Sequence, residues 1–217
     1  MFHPITNKKW LRFYLDADKF ALGMSHRIFP YRLNDNVWRF EYFLRHYEYC
    51  KNTNCKLGVM FWGLLLRRSS KRLGFSISGN CFGPGLRINH FGLIKVNAKC
   101  KIGKWCDIHQ GVNIGENSYY IKSERGTELI TCVPVLGNYV FIGPGAKIFG
   151  DCTVADNCRI GANCVINKST DKNMVCYGNP FVQKSSKKDM LTIASKSFES
   201  EFLKQYPQYK DFLAEFD

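Results

Sequence analysis

The sequence predicts an all-β core built as a parallel β-helix, with a helical region before it and short helices after it. Three features predict this fold: an aliphatic residue recurs every six positions, glycine often follows it, and a small or β-branched residue stands four positions after it. The chain has 217 residues, of which 45% are hydrophobic and 23% are charged. This composition excludes a disordered or collagen-like chain and fits one domain with appendages.

The six-residue period covers most of the centre of the chain. The aliphatic positions are Val96, Ile102, Ile108, Ile114, Leu136, Ile142, Ile148, Val154, Ile160 and Ile166. Four residues after each of them stand Cys100, Cys106, Val112, Ser118, Val140, Ala146, Cys152, Cys158, Cys164 and Thr170. Three units make one triangular coil of short strands, and stacked coils bury the aliphatic column. We therefore assign residues 75–183 to the β-helix.

The cysteines are expected to be packing residues. Five of the ten occupy the small position of the repeat, and no CxxC pair occurs. Residues six apart lie on different faces of the coil, which disfavours a shared metal ion. A zinc site of three histidines is also disfavoured, because His3, His26 and His46 lie far upstream of the other two. We expect no metal and a reducing compartment.

The repeat is interrupted between Ile114 and Leu136, a gap of one coil plus four residues. A loop is therefore expected to protrude over residues 116–134, carrying Tyr119, Tyr120 and Arg125. Such a loop serves either function or assembly, or it is a tolerated insertion.

The flanking regions are predicted to be helical: residues 1–74, with two helices over 36–73, and the tail 184–217. The apolar run Leu57–Leu66 is followed by a basic cluster of Arg67, Arg68, Lys71 and Arg72. Two interpretations remain open: contact with an anionic membrane surface, or packing on the chain's own domain or a partner subunit. The run is too short to span a bilayer, and no secretory signal is visible. We expect a cytoplasmic protein, with peripheral association at the inner face of the membrane as an option.

The net charge of +13 favours an acidic partner such as a phosphorylated cofactor or an anionic polysaccharide. No nucleic-acid recognition motif appears, and no nucleic-acid partner is expected.

Several segments together resemble a known family. They are Gly83–Gly92 (GPGLRINHFG), Ile108–Gly115 (IHQGVNIG), Phe141–Gly150 (FIGPGAKIFG), Arg159–Ile166 (RIGANCVI) and Gly178–Pro180 (GNP). The sequence resembles the hexapeptide acyltransferases of the serine acetyltransferase type, above all the shortened members found among polysaccharide-synthesis enzymes. The resemblance implies a left-handed β-helix, a homotrimer with sites between subunits, and acetyl-CoA as the donor.

By this resemblance His90 is the catalytic histidine, and a neutral imidazole suits a general base that takes a proton from a hydroxyl. Residues expected to contact the acceptor are Asn89, His109 and Arg125, with an exposed corner residue as the other interpretation of His109. Residues expected to contact acetyl-CoA are Gly115, Pro144, Lys147, Arg159 and Ala162. No cysteine matches a nucleophile of the family, so direct transfer is expected.

The sequence departs from the serine enzymes where these carry charges. Ser76 to Ser78 replace an Asp-Ile-His segment, Asn89 replaces an acidic residue, and Cys132-Val133 replace an Arg-His pair. Because zwitterionic serine needs charged partners, these departures predict an uncharged acceptor. We therefore expect O-acetylation of a sugar hydroxyl of a polysaccharide (capsule, exopolysaccharide or lipopolysaccharide) or its precursor. The alternatives are a serine O-acetyltransferase of cysteine biosynthesis and a non-catalytic basic β-helical scaffold.

Overall fold

The structure is a computed structural model that describes residues 3–24, 36–123, 126–186 and 194–217. Its helices are α1 (Lys8–Ala21), α2 (Asn36–Asn52), α3 (Lys56–Leu73), α4 (Lys196–Gln205) and α5 (Lys210–Ala214). The first nine strands are β1 (Phe75–Ser76), β2 (Arg87–Ile88), β3 (Ile94–Val96), β4 (Lys101–Ile102), β5 (Asp107–Ile108), β6 (Asn113–Gly115), β7 (Asn117–Ser123), β8 (Gly126–Cys132) and β9 (Val135–Leu136). The others are β10 (Phe141–Ile142), β11 (Lys147–Phe149), β12 (Thr153–Val154), β13 (Arg159–Ile160), β14 (Val165–Ile166), β15 (Met174–Tyr177) and β16 (Val182–Ser185).

The short strands form three sheets that the chain visits in rotation. Sheet A contains β1, β3, β6, β11 and β14; sheet B contains β4, β9 and β12; sheet C contains β2, β5, β10, β13, β15 and β16. All pairs within these sheets are parallel except β15 with β16. The rotation from A to B to C stacks one coil on the next, as the six-residue repeat predicts.

The interior of the coils is the predicted aliphatic column. Its ten aliphatic residues are all at most 3% exposed. The small residues four positions on are also buried, and the five cysteines among them are free thiols. Ser118 is the exception in that set, since it is exposed on β7. It marks the place where the chain leaves the coil.

The interruption of the repeat is an antiparallel hairpin of β7 and β8, which replaces the loop expected over 116–134. Large apolar side chains of the hairpin face solvent: Tyr120 is 73% exposed and Leu129 is 55% exposed. Arg125, predicted to contact the acceptor, lies outside the described residues.

A glycine with a left-handed backbone conformation allows one tight corner of the first coil. Gly85 has φ +76°, and a Cβ atom there would lie 2.3 Å from the ring of Trp105. Trp105 is fully buried. Only a residue without a side chain lets the corner close over that ring.

The C-terminal helices pack with α1 in a second apolar cluster beside the β-helix. Trp10, Phe13, Trp105, Phe202 and Phe216 belong to it. At its edge Lys104 is fully buried, and its Nζ lies 2.7 Å from Asp217 and 3.2 Å from Glu199. The helix α1 is an element that the sequence analysis did not identify separately.

A buried ion network joins the N-terminal helices to the first coil. Arg45 on α2 contacts Asp18 of α1 at 2.6 Å and Glu48 at 3.0 Å, and all three side chains are at most 1% exposed. The same guanidinium donates to the carbonyl oxygens of Phe82 and Gly83. Arg45 therefore holds together α1, α2 and the start of the β-helix.

None of the helices in the described ranges combines the length and the apolar character that crossing a membrane requires.

Candidate active site

Five of the predicted site residues meet where the chain passes from sheet C to sheet A: Asn89, His90, His109, Pro144 and Ala162. We call this edge the C–A corner; it comprises residues 89–93, 109–112, 143–146 and 161–164 of four successive coils. Left-handed residues turn the backbone at each level: Gly92, Gly111, Gly145 and Asn163. Amide-to-carbonyl hydrogen bonds connect the levels, for example from Gly111 to Leu93 and from Gly145 to Gln110.

His90 is exposed at the first level of the C–A corner, two residues after the end of β2. The backbone before it is fixed, because the amide of Asn89 donates to the carbonyl oxygen of Ile108 at 3.0 Å. Beside it, Phe91 and Leu93 are 70% and 79% exposed. An imidazole on a fixed backbone and open to solvent can reach a substrate hydroxyl and accept its proton.

His109 lies one coil below, with its ring centroid 6.1 Å from that of His90. Its ring meets Phe141 edge-on at 5.0 Å. The Nδ2 atom of Asn89 lies 3.1 Å from Nε2 of His109. The structure thus places Asn89, His90 and His109 next to one another.

Behind His109 lies a charged pair that the sequence analysis missed. Arg87 on β2 donates to Oδ2 of Asp107 on β5 at 3.0 Å. The other oxygen, Oδ1, has no hydrogen-bond partner among the described residues and lies 3.7 Å from Nε2 of His109. The pairing register of the coils is the signal that indicates this pair, because it places Arg87 and Asp107 opposite each other on neighbouring strands.

Burial and charge oppose each other in this group. Burial raises the pKa of Asp107, while the charges of Arg87 and then His109 lower it. Burial lowers the pKa of His109, while the carboxylate of Asp107 raises it. The neutral form of His109 is therefore favoured. The carboxylate of Asp107 is the largest influence that favours the protonated ring.

This balance gives a testable prediction for Asp107→Asn. Removing the carboxylate should lower the pKa of His109 further, because the burial remains and the attraction to a protonated ring is lost. Titration of the histidine ring signals by NMR measures it. Asp151→Asn, which removes an exposed carboxylate elsewhere, is the matched control. An unchanged or higher pKa of His109 in Asp107→Asn would show that the carboxylate does not act on the ring.

The residues predicted to contact acetyl-CoA are distributed over two sides of the β-helix. Pro144 and Ala162 occupy the C–A corner below His90, and Lys147 braces it, donating from Nζ to the carbonyl oxygens of Gly111 and Gly145 at 2.8 and 2.7 Å. Gly115 lies at the far end of β6, opposite Phe149. Arg159 points elsewhere: it is 6% exposed and donates to the carbonyl oxygens of Tyr139 and Ala194.

The described part of the chain contains no group of three or more His, Cys, Asp or Glu side chains that could hold a metal ion.

Comparison with known proteins identifies the repeat and the fold. Residues 134–168 match the bacterial transferase hexapeptide family (six repeats). The chain is 36% identical to a serine acetyltransferase of Helicobacter pylori strain J99 over 88 residues, which are 41% of this chain and 47% of that protein. The chain spans about half the length, or less, of the curated relatives it matches.

Solved structures agree with this comparison. The crystal structure of serine acetyltransferase from Brucella abortus strain S19 superimposes with a TM-score of 0.60 at 22% identity, covering 83% of this chain and 70% of that one. A serine acetyltransferase in complex with CoA gives a TM-score of 0.60 at 20% identity, covering 82% and 71%. Together with the repeat, these structures imply that the coils wind left-handed and follow N-terminal helices.

The expected acceptor has to be corrected. The missing charges at Ser76, Asn89 and Cys132-Val133 predicted a sugar hydroxyl of a polysaccharide, but the relatives and structures are named serine acetyltransferase, which was the alternative. The error has a physical reason: Arg87 and Asp107 become neighbours only when two coils stack in register, so matched sequence positions do not reveal this charged pair. The chain thus carries the hexapeptide repeat of bacterial transferases on the fold of the serine acetyltransferases.

Proposed function

We propose that this protein is an acetyl-CoA-dependent serine O-acetyltransferase with His90 as the general base. The observation that carries the proposal is the exposed imidazole of His90, set beside His109 at the corner of a hexapeptide β-helix. Similarity to serine acetyltransferases supports serine as the acceptor and acetyl-CoA as the donor. The alternative of a non-catalytic scaffold gives no account of this imidazole.

The proposed chemistry is direct transfer. The imidazole of His90 accepts the proton of the serine hydroxyl as its oxygen attacks the thioester carbonyl carbon. The carbon–sulfur bond then breaks, and the sulfur of CoA takes the proton back from the imidazolium. No group of the protein becomes acetylated, and the imidazole returns to its neutral form.

The neighbours of His90 have separate proposed roles. Asn89 and His109 border the space beside His90 and would contact the acceptor. Asp107, paired with Arg87, lies 3.7 Å from the His109 ring and acts on its protonation, and the Arg87 side chain is 25% exposed, so its charge is within reach of solvent near the corner. The guanidinium of Arg87, on the more exposed side of this pair, suits the carboxylate of an amino-acid acceptor.

The donor site is proposed for the lower levels of the C–A corner. Pro144, Ala162 and Lys147 lie there, and Gly115 would contact the donor from the end of β6. Arg159 is left out of this site, because its guanidinium is buried and bonded to backbone carbonyl oxygens.

The assembly and the compartment are part of the proposal. We place the acyltransferase unit at residues 75–183 between the helical segments 1–74 and 184–217, and we expect a homotrimer, the usual state of hexapeptide transferases. In it, exposed Phe91 and Leu93 would lie against a neighbouring copy. All ten cysteines are free thiols, which suits the cytoplasm.

The test is acetyl-CoA turnover with L-serine. Release of the CoA thiol should depend on serine, and mass spectrometry should detect O-acetylserine. L-Alanine is the matched control, since it keeps the ammonium and carboxylate and lacks only the hydroxyl. Thiol release at the same rate with serine, with alanine and without any acceptor would refute the proposal.

A further inference from the structure

Helix α3 carries an exposed stripe that nothing in the described chain covers. The stripe, which we call the α3 stripe, consists of Leu57, Met60, Phe61, Leu64, Arg67, Arg68 and Lys71, all exposed. Its spacing of three and four residues puts these side chains on one face of the helix. Its first half is apolar, with Leu57 77%, Met60 70%, Phe61 56% and Leu64 68% exposed.

The apolar half is not needed to hold the helix in place. The opposite side of α3 already packs inward through Trp62, Leu66 and Leu73. The Trp62 ring meets the rings of Tyr42 and His46 of α2 with centroids 5.9 and 4.5 Å away. The apolar side chains of the stripe are therefore free to contact something else, and a contiguous exposed apolar surface of this kind marks an interaction site.

The second half of the stripe is strongly basic. Helix α3 has five basic residues and no acidic one. No ion pair within the described residues involves Arg67, Arg68, Lys71 or Arg72. Beside this end lies a cavity of about 310 Å³ whose lining includes Arg39, Arg68 and Arg72. Three guanidinium groups around one small cavity suit a phosphate group.

We propose that the α3 stripe docks on an anionic phospholipid surface. The helix would lie in the plane of the membrane, with Leu57, Met60, Phe61 and Leu64 at the boundary of the acyl chains and the basic end on lipid phosphates. Its 18 residues are about 27 Å long at 1.5 Å per residue, enough for such a contact along the surface.

Charge selects this partner over a second copy of the chain. A second copy offers the same stripe, on a helix α3 with five basic and no acidic side chains, so it brings no carboxylate to the basic end. A lipid surface matches both halves of the stripe at once. The docking does not depend on which acceptor is acetylated.

Sedimentation with vesicles tests the proposal. The intact protein should bind vesicles of 70% phosphatidylcholine and 30% phosphatidylglycerol, and should not bind vesicles of phosphatidylcholine alone. The double variants Phe61→Ser/Leu64→Ser and Arg67→Gln/Arg68→Gln should each weaken binding by about 30-fold or more, since each removes two of the anchoring side chains. Tyr120→Ser/Leu129→Ser is the matched control, because it removes equally exposed apolar side chains on the β7–β8 hairpin and should bind as the intact protein does.

Two results would overturn the proposal. One is equal binding, or none, with both kinds of vesicle. The other is a smaller oligomer mass for Phe61→Ser/Leu64→Ser than for the intact protein in sedimentation equilibrium without lipid. That result would make the stripe an interface between copies. Circular dichroism confirms that each variant is folded before the binding is compared.

Discussion

His90→Ala should lower kcat for acetyl transfer to serine by about 1,000-fold, the middle of the range for loss of a general base. The hydroxyl would then have to give its proton to water while it attacks the thioester. The side chain is exposed and its ring has no hydrogen bond within the described chain, so the variant should melt at the same temperature as the intact protein.

The comparison needs kcat and KM for both substrates, together with a melting curve. His46→Gln is the matched control: it removes a histidine from α2, where the ring packs on Trp62 away from the C–A corner, and kcat should stay unchanged. If His90→Ala retained more than a tenth of kcat, another group would have to be the base, and the first to test would be His109.

Arg45→Leu should cost about 3–5 kcal/mol of unfolding free energy, the usual loss when one member of a buried ion group is removed. The variant leaves Asp18 and Glu48 buried without their cation, and it leaves the carbonyl oxygens of Phe82 and Gly83 without a donor. Urea denaturation measures the loss. Arg12→Ala is the control, because the Arg12 side chain is 82% exposed and its pair with Asp16 should contribute less than about 1 kcal/mol.

The pH dependence identifies the cause of that loss. Burial raises the pKa of Asp18 and of Glu48, and Arg45 opposes it. In Arg45→Leu both pKa values should rise further above their unfolded values, so stability is present at low pH and is lost as the pH rises. The difference from the intact protein should therefore be smaller at pH 5 than at pH 8. A difference independent of pH would mean that packing, and not charge, causes the loss.

The β-helix was predictable because its rule is local. Each aliphatic residue is placed by a period of six, and a break in that period located the β7–β8 hairpin. The helices over 36–73 follow from a broad aromatic face between Trp38 and Tyr49 and from the apolar run that ends at Leu66. In each case a few neighbouring residues decide the structure, so the sequence alone carries the information.

The charged groups were not predictable in the same way. Arg45 pairs with Asp18, 27 residues away, and the amide of Leu86 donates to Oδ1 of Asp18 across 68 residues. Arg87 and Asp107 become neighbours only when two coils stack in register. The sequence alone does not give that register, so it shows no charged pair near His109 and predicts the wrong acceptor.

The buried cysteines of the repeat have a practical consequence for an assay of the protein. Eight of the ten cysteines are buried, and burial raises the pKa of Cys100 and Cys152 to about 11. Thiolates, which are what a disulfide dye reacts with, are scarce at those positions near neutral pH. The native protein should therefore give a low background in a dye assay of CoA release, mostly from exposed Cys55 and half-buried Cys132. The same dye, added during unfolding, would report how many of the buried thiols have become exposed as the coils open.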